Sequence, residues 1–185
     1  MTDAIRKLNA APRDAAIAVM EPLVERSAWV AELTVDARPF ADHDALAAAL
    51  METILQAGFE RQLAMFNAHQ ELAGEEASED RMTRASISEQ QRLGLWLLSP
   101  HDTQRLLRLN ATYRARFGHP FIVALHRVRD VPALFEIFER RLRASAIEEH
   151  ATTLAEIASV IHSRATSAFG PAAAAASHVP AENQE

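Results

Sequence analysis

The stretch SAIEEHATTLAEIASVIHSRATSA, residues 145–168, decides the fold class of this chain. Its apolar side chains at Ile157, Val160 and Ile161 recur at the three- and four-residue spacing of one face of an α-helix. The stretch therefore predicts a long helix that buries one apolar face. Gly170 and Pro171 then lead into five consecutive alanines and a polar end, which we expect to form a disordered tail.

The helical period continues through nearly every segment before this stretch, and no alternating run of β-branched residues occurs. Pro22 is expected to kink or shorten the first of the longer helices, and the apolar run from Phe121 to Leu125 is expected to be extended. The other predicted helices are those over residues 12–26, after a cap at Ser27, after a cap at Asp42 or Asp44, after Gly58, from Thr83 to Leu98, from Ser99 to Phe117, and from near Asp130.

These predictions describe an all-α fold, a single-domain multi-helix bundle over residues 1–169 followed by the tail at 170–185. The 185 residues suit one domain with a full core. The absence of cysteine excludes disulfides, thiolate metal sites and cysteine nucleophiles. The net charge of −6, with both signs interspersed, argues against nucleic acid and anionic membrane as partners. No apolar run approaches the roughly 20 residues of a membrane span, and we expect a cytoplasmic protein.

His69 is the first candidate for chemistry. It follows Met65 and Phe66 by four and three residues, so a helix through this segment places its imidazole on their apolar face. A lone histidine in that position is most often a core residue whose hydrogen bonds are satisfied. It is also the side chain best suited to proton transfer near neutral pH, and the local sequence leaves both interpretations open.

A polar cluster near the middle of the chain is the second candidate. Ser86-x-x-Glu89 before Leu93 matches a capping box, in which both side chains satisfy free N–H groups at a helix start. Thr83 offers an earlier N-cap, and a helix that begins there places Ser86, Glu89 and Gln90 on the apolar face of Leu93. Polar groups that point into the protein need partners, and a ligand can be one of them.

Two further positions can bind an anion or a carbonyl. Arg164 lies seven residues after Ile157, at the end of the apolar face of the last helix. Its side chain can reach water, complement the helix C-terminus, or clamp a carboxylate. The turn Gly118-His119-Pro120-Phe121-Ile122 ends a helix, and its non-helical backbone can also offer N–H donors. No metal site is expected, because the chain has no His-Glu-x-x-His and no close histidine pair on one helical face.

The order and spacing of several short motifs are more specific than any one of them. They are Leu8-Asn-Ala-Ala-Pro12, Ser27-Ala-Trp29-Val30, Arg38-Pro39-Phe40, Ala68-His69, Ser86-x-x-Glu89-Gln90, Tyr113-x-x-x-Phe117-Gly118, Pro120-Phe121-Ile122 and Glu156-Ile157 with the later Arg164. With these motifs the chain resembles the 2-oxo-4-hydroxy-4-carboxy-5-ureidoimidazoline (OHCU) decarboxylases of the urate-to-allantoin pathway, from about Leu8 to Arg164.

The resemblance implies an all-helical homodimer that uses no cofactor and decarboxylates OHCU, a small-molecule substrate, to (S)-allantoin. It implies that His69 is the proton donor and that Glu89 is the second catalytic residue. It also implies a larger set of substrate contacts, made by Gln70, Ser86, Ile87, Ser88, Gln90, His119, Pro120, Phe121, Ile122, Val123 and Arg164.

Two positions depart from the pattern of that family. The residue after the catalytic histidine is usually proline; here it is Gln70, which leaves the backbone freer and adds a donor near the pocket. His119 stands where the family often has an aromatic residue. Neither departure removes a group that the reaction needs. Two alternatives remain open: a paralogue that acts on a related ureido or imidazoline compound, and a helical ligand-binding module without catalysis.

Overall fold

The computed structural model describes residues 1–72 and 84–171, and for residues 84–87 it describes the backbone alone. No residue in these ranges lies in a β-strand, and the all-α prediction is confirmed. Thr83 and the predicted tail from residue 172 onward lie outside the described residues. The α-helices are α1 (Asp3–Ala10), α2 (Arg13–Met20), α3 (Ala28–Thr34), α4 (His43–Gln56), α5 (Phe59–Ala68), α6 (Arg84–Arg92), α7 (Pro100–Phe117), α8 (Val131–Arg141) and α9 (Ala146–Phe169).

Several helix ends follow from the residue types that predicted them. Asp42 Oδ1 accepts a hydrogen bond from the Ala45 N–H at 2.9 Å at the start of α4. Asp130 Oδ1 accepts from the Ala133 N–H at 2.8 Å at the start of α8. Gly118 ends α7 with a φ of 78°, a conformation that is costly for residues with a Cβ atom. Local capping chemistry therefore sets these boundaries.

Two predicted helices are shorter than the sequence pattern indicated. The helix expected over residues 12–26 ends at Met20, and Pro22 lies in a single 3-10 turn because it has no N–H to continue an α-helix. The helix expected to reach Leu98 ends at Arg92 instead. Gly94 interrupts it, because this residue adopts the left-handed conformation with a φ of 68°.

The predicted cap at Ser27 is also wrong. Ser27 directly precedes α3, but its hydroxyl makes no hydrogen bond to the start of that helix. The hydroxyl is buried and has no partner among the described residues. Ser27 therefore occupies the N-cap position of α3, but its side chain does not make the hydrogen bond of an N-cap.

Helices α4 and α9 form the centre of the larger core, to which α1, α2, α3 and α5 add apolar side chains. Full burial of one leucine or isoleucine contributes roughly 1.5–3 kcal/mol, so this contact is a major source of stability. Buried residues at four-residue spacing on the two helices carry it: Leu46, Leu50 and Ile54 on α4, and Ile157, Ile161 and Ala165 on α9.

A second apolar cluster joins α7 and α8 to the segment after α7, residues 120–124, which has no regular secondary structure. The rings of Phe121 and Phe138 stack with their centroids 3.7 Å apart. Tyr113 packs edge-on against both rings, with centroid distances of 5.2 and 5.7 Å. Aromatic pairs of this geometry add about 0.5–1.5 kcal/mol beyond their burial. The cluster therefore fixes Phe121 against α8, while Leu125, the last residue of the run predicted to be extended, begins a 3-10 turn.

A buried ion pair connects this cluster to α9. Arg141 Nε donates to Glu149 Oε1 at 2.9 Å, and the two side chains are 4% and 1% exposed. The Tyr113 hydroxyl donates to the same carboxylate. Arg141 Nη1 donates to the backbone carbonyl of Ile122 at 2.6 Å. Because a buried charge without a partner is costly, this network holds α7, α8, α9 and the Ile122 backbone together.

We predict that Glu149→Gln lowers the free energy of unfolding by about 3–5 kcal/mol, because it leaves the buried Arg141 guanidinium without its counter-charge. The matched control is Glu139→Gln, which breaks an ion pair to Arg105 whose side chains are 36% and 44% exposed. The control is expected to cost no more than about 1 kcal/mol. Urea unfolding of both variants measures the difference, and equal losses would contradict the role of the buried pair.

Candidate active site

A cavity lies where the end of α5, the turn after α2, α6, the segment after α7, and α9 meet. The volume open to the centres of water-sized molecules is about 80 Å³, enough for several waters or a small ligand. Most of its wall is aliphatic, with Phe121 as an aromatic contribution. A mainly apolar enclosure with a few polar groups is typical of a small-molecule site. The polar groups are Glu25, His69, Gln70, Glu89, Gln90 and Arg164.

His69 lies one residue beyond the end of α5, not within the helix as the sequence pattern indicated. Its backbone is extended, with φ −74° and ψ 149°. Its Nδ1 lies 3.0 Å from the carbonyl oxygen of Met65. A carbonyl only accepts hydrogen bonds, so Nδ1 of the neutral ring carries the hydrogen. Nε2 is then the nitrogen that can exchange a proton with a bound molecule.

The surroundings of His69 lower its pKa. Burial of the ring is the largest cause, since it disfavours the charged imidazolium. The hydrogen bond to Met65 and the Glu25 carboxylate oppose this effect, while Arg164 and Arg26 add to it. The neutral ring therefore predominates at pH 7. A bound anion would raise the pKa and favour the protonated ring.

Arg164 reaches the cavity from α9 and forms an ion pair with Glu25. Arg164 Nη1 lies 2.7 Å from Glu25 Oε2, and the two side chains are 10% and 13% exposed. The same nitrogen lies 3.4 Å from the carbonyl oxygen of Pro22. Glu25 did not emerge from the sequence, because its partner lies on the last helix of the chain and no local motif marks it. The break at Pro22 indicated only that a turn begins nearby.

Helix α6 brings Glu89 and Gln90 to the cavity. Gln90 is buried, while Ser88 is exposed and is not among the lining residues. Ser86 lies within α6, so it does not stand at the N-cap that a capping box requires. The side chains of Ser86 and Ile87 lie outside the described structure, and their proposed contacts with a substrate remain predictions.

The predicted turn after α7 is only partly in the cavity. Phe121, Ile122 and Val123 line it, whereas His119 and Pro120 do not. His119 is 3% exposed, and its Nδ1 lies 2.9 Å from the carbonyl oxygen of Pro120. Burial lowers the pKa of this histidine.

The His119 ring packs in an aromatic layer, with its centroid 5.0 Å from that of Phe66 and 5.5 Å from that of Tyr113. The imidazole of His119 therefore packs in this layer as an aromatic side chain would. On the other side of the turn, the N–H of Ala124 donates to Glu156 Oε2 at 2.8 Å, which fixes the segment after α7 to α9.

The backbone after His69 is held by contacts with α7. Asn110 Nδ2 donates to the carbonyl oxygen of Leu72 at 3.0 Å, and Arg114 Nε donates to Glu71 Oε1 at 2.6 Å. Gln70 lines the cavity between these contacts and His69. The segment lacks the rigid proline ring, but these two tethers limit the freedom that Gln70 allows.

No group of three or more His, Cys, Asp or Glu side chains in residues 1–72 and 84–171 is arranged to hold a metal ion. Within the same part of the chain, no helix has both the length and the apolar character that crossing a membrane requires.

Residues 9–166, which include the cavity, match the OHCU decarboxylase family. The chain belongs to the OHCU decarboxylase family. A Haloferax volcanii protein named 2-oxo-4-hydroxy-4-carboxy-5-ureidoimidazoline decarboxylase is 33% identical over 165 residues, which cover 89% of this chain and 95% of that protein. A Bos taurus protein of the same name is 31% identical over 166 residues, which cover 90% of this chain and 97% of that protein. The expected family is therefore confirmed.

A crystal structure of (S)-allantoin synthase has the same fold as this member of the OHCU decarboxylase family. It matches with a TM-score of 0.70 at 22% sequence identity. The matched region covers 88% of this chain and 52% of that chain. The likeness supports the helical architecture around the cavity.

The position of His69 predicts its titration. We expect its Cε1–H resonance in NMR spectra to titrate with a midpoint below the ordinary value of about 6.5, because burial disfavours the imidazolium. The resonance is assigned by its loss in His69→Gln. The pKa of His69 is lower in the folded protein than in the unfolded protein. Its contribution to the free energy of unfolding is therefore complete above about pH 6.5 and declines as the pH falls towards the folded-state pKa. A midpoint at or above 6.5 would contradict this account.

Proposed function

We propose that this chain catalyses the decarboxylation of OHCU to (S)-allantoin in urate degradation. The observation that carries the proposal is the meeting of His69, Glu89, Gln90 and Arg164 in one cavity of a chain that belongs to the OHCU decarboxylase family. The names of the relatives supply the substrate class. The residue types in the cavity fit the steps that this reaction needs.

The reaction breaks the bond between the substrate ring and its carboxylate, releases CO₂ and consumes one proton. The electron pair of the broken bond passes into the conjugated imine and carbonyl of the ring. We propose that no cofactor takes part, because the ring itself accepts this electron pair. The protein then has to orient the carboxylate, stabilise the delocalised anion and deliver a proton to one face.

Arg164 is proposed to act first, in binding the substrate, and His69 last, in protonating the ring. The planar guanidinium of Arg164 suits a substrate carboxylate or carbonyl. The charge of the bound substrate favours protonation of His69, whose Nε2 then gives its proton to the ring carbon. Because Nδ1 is directed at the Met65 carbonyl, the imidazole plane is fixed. Delivery from one fixed direction yields one enantiomer of allantoin.

Glu89 is proposed to accept hydrogen bonds from the ureido N–H groups of the substrate. Its negative charge also favours departure of the nearby carboxylate as neutral CO₂. Gln70, Gln90, Phe121, Ile122 and Val123 are proposed to complete the binding surface, since all of them line the cavity. Contacts from Ser86, Ile87, Ser88, His119 and Pro120 remain predictions from the family resemblance.

We further propose a cytoplasmic homodimer with no nucleic-acid or membrane partner. A second candidate function is turnover of a related ureido or imidazoline compound. It is favoured by Gln70, which adds an amide to the cavity where the family usually has proline. Relative kcat/KM values for OHCU and such compounds separate the two. Racemic product formed at the background rate would instead support a ligand-binding module without catalysis.

We predict that His69→Asn retains the fold and loses most stereospecific decarboxylation. A general acid typically contributes about 10²–10⁴-fold to the rate, and asparagine cannot take up a proton near neutral pH. The rate and the enantiomeric purity of allantoin are measured together with the melting temperature. His101→Asn is the control, since that side chain is 81% exposed and lies outside the cavity. Near-normal stereospecific turnover by His69→Asn would disprove the proton-donor role.

We predict that Glu89→Gln reduces turnover by roughly tenfold or more, which corresponds to about 1.4 kcal/mol of lost transition-state stabilisation. The amide preserves the shape of the side chain but removes its charge and one acceptor. The melting temperature should stay within a few degrees, because helix α6 keeps a similar residue. If stability falls while the rate is unchanged, Glu89 has a structural role only.

A further inference from the structure

The turn that carries Glu25 has an unusual backbone. Glu25 and Arg26 have φ angles of 32° and 47°, and they are the non-glycine residues with positive φ in the described part of the chain. Side chains with a Cβ atom rarely adopt this conformation, because it costs free energy. Two consecutive residues in this region indicate that surrounding contacts hold the turn in place. Conformations of this kind are often found at functional sites.

This turn forms an ion pair with α9 at the cavity wall. Glu25 itself lines the cavity, and its Oε2 lies 2.7 Å from Arg164 Nη1. Both side chains are largely shielded from water, at 13% and 10% exposure, so the ion pair is screened far less than a surface pair. The pair connects the turn after α2 with the far end of α9, two elements that no local motif connects.

We propose that Glu25 is a positioning residue for the decarboxylation: it fixes the guanidinium of Arg164 on the cavity wall and supplies a negative charge beside His69. This inference rests on the proposed function, and it adds a residue to which that proposal gave no role. A guanidinium has five N–H donors in one plane, so it can bind Glu25 and a substrate carboxylate at the same time. Glu25 thereby sets the plane in which the substrate carboxylate is bound.

Within residues 1–72 and 88–171, four charged groups line the cavity or act electrostatically on the His69 imidazole. Glu25 and Glu89 are acidic, and Arg164 and Arg26 are basic. The carboxylate of Glu25 favours the imidazolium, whereas the two arginines disfavour it. Replacing Glu25 by a neutral residue removes the negative charge that opposes the effect of the two arginines on the pKa of His69. The imidazolium then forms only at lower pH, and fewer protonated rings are present at pH 7.

The decisive variant is Glu25→Gln, which keeps the length of the side chain and removes its charge. We expect KM for OHCU to rise by roughly tenfold or more, because a largely buried charge pair is broken. We also expect the alkaline limb of the kcat/KM profile to move to lower pH, since the proton donor loses its favourable neighbour. Glu25→Asp retains the charge on a shorter side chain, and both quantities should lie between those of the wild type and Glu25→Gln.

Asp36→Asn is the matched control, because it removes a carboxylate from an exposed ion pair with Arg13 outside the cavity. It should leave KM and the pH profile unchanged. A purely structural Glu25 would lower the melting temperature without moving the alkaline limb. Wild-type KM and an unmoved limb in a folded Glu25→Gln protein would overturn the proposal. If Glu25→Gln does not fold, the intermediate values expected for Glu25→Asp provide the test.

The NMR midpoint of His69 separates this inference from the proposed function. Glu25→Gln should lower that midpoint in the protein without substrate, whether or not the wild type decarboxylates OHCU. Racemic product at the background rate from the wild type would refute the proposed function and, with it, the catalytic part of the inference. An unshifted midpoint alongside an active wild type would refute the electrostatic role of Glu25 alone.

Discussion

The structure depends on one buried ion pair, between Arg141 of α8 and Glu149 of α9. Taking both charges out of water is costly, and the cost is met only while every partner stays in place. Those partners include the Tyr113 hydroxyl and the backbone carbonyl of Ile122. Ile122 also lines the cavity. The hydrogen bond that the buried guanidinium of Arg141 needs therefore also fixes one wall of the site. The core and the cavity are therefore parts of one hydrogen-bonded arrangement.

Burial has two opposite effects on the charged groups of the cavity. It makes His69 harder to protonate, because the imidazolium loses its hydration. It also strengthens the attraction between Glu25 and Arg164, because little water screens the pair. An anionic substrate that enters such a site meets a fixed guanidinium and an imidazole whose protonation responds to the substrate charge. The apolar wall thus makes the polar residues sensitive to the molecule they bind.

The sequence could predict those features that depend on neighbouring residues. Helical periodicity identified the fold class, and the cap at Asp42 and the helix end at Gly118 follow from local chemistry. Features that require distant partners could not be predicted in this way. Glu25 has a role only when α9 places Arg164 beside it. His119 matched the family motif for substrate contacts, yet its ring packs among aromatic residues that come together only in the folded chain.

Helix α9 carries three charged residues that each secure a different element. Glu149 binds α8, Glu156 binds the segment after α7, and Arg164 binds the turn after α2. Glu156 follows Glu149 by seven residues and Arg164 follows Glu156 by eight, about 1.9 and 2.2 helical turns, so all three lie within a sector of about 80° around the helix axis. One added or deleted residue between Glu156 and Arg164 would rotate the guanidinium by about 100° around the helix axis. The number of residues between these charges therefore constrains α9 more strictly than the identity of the residues between them.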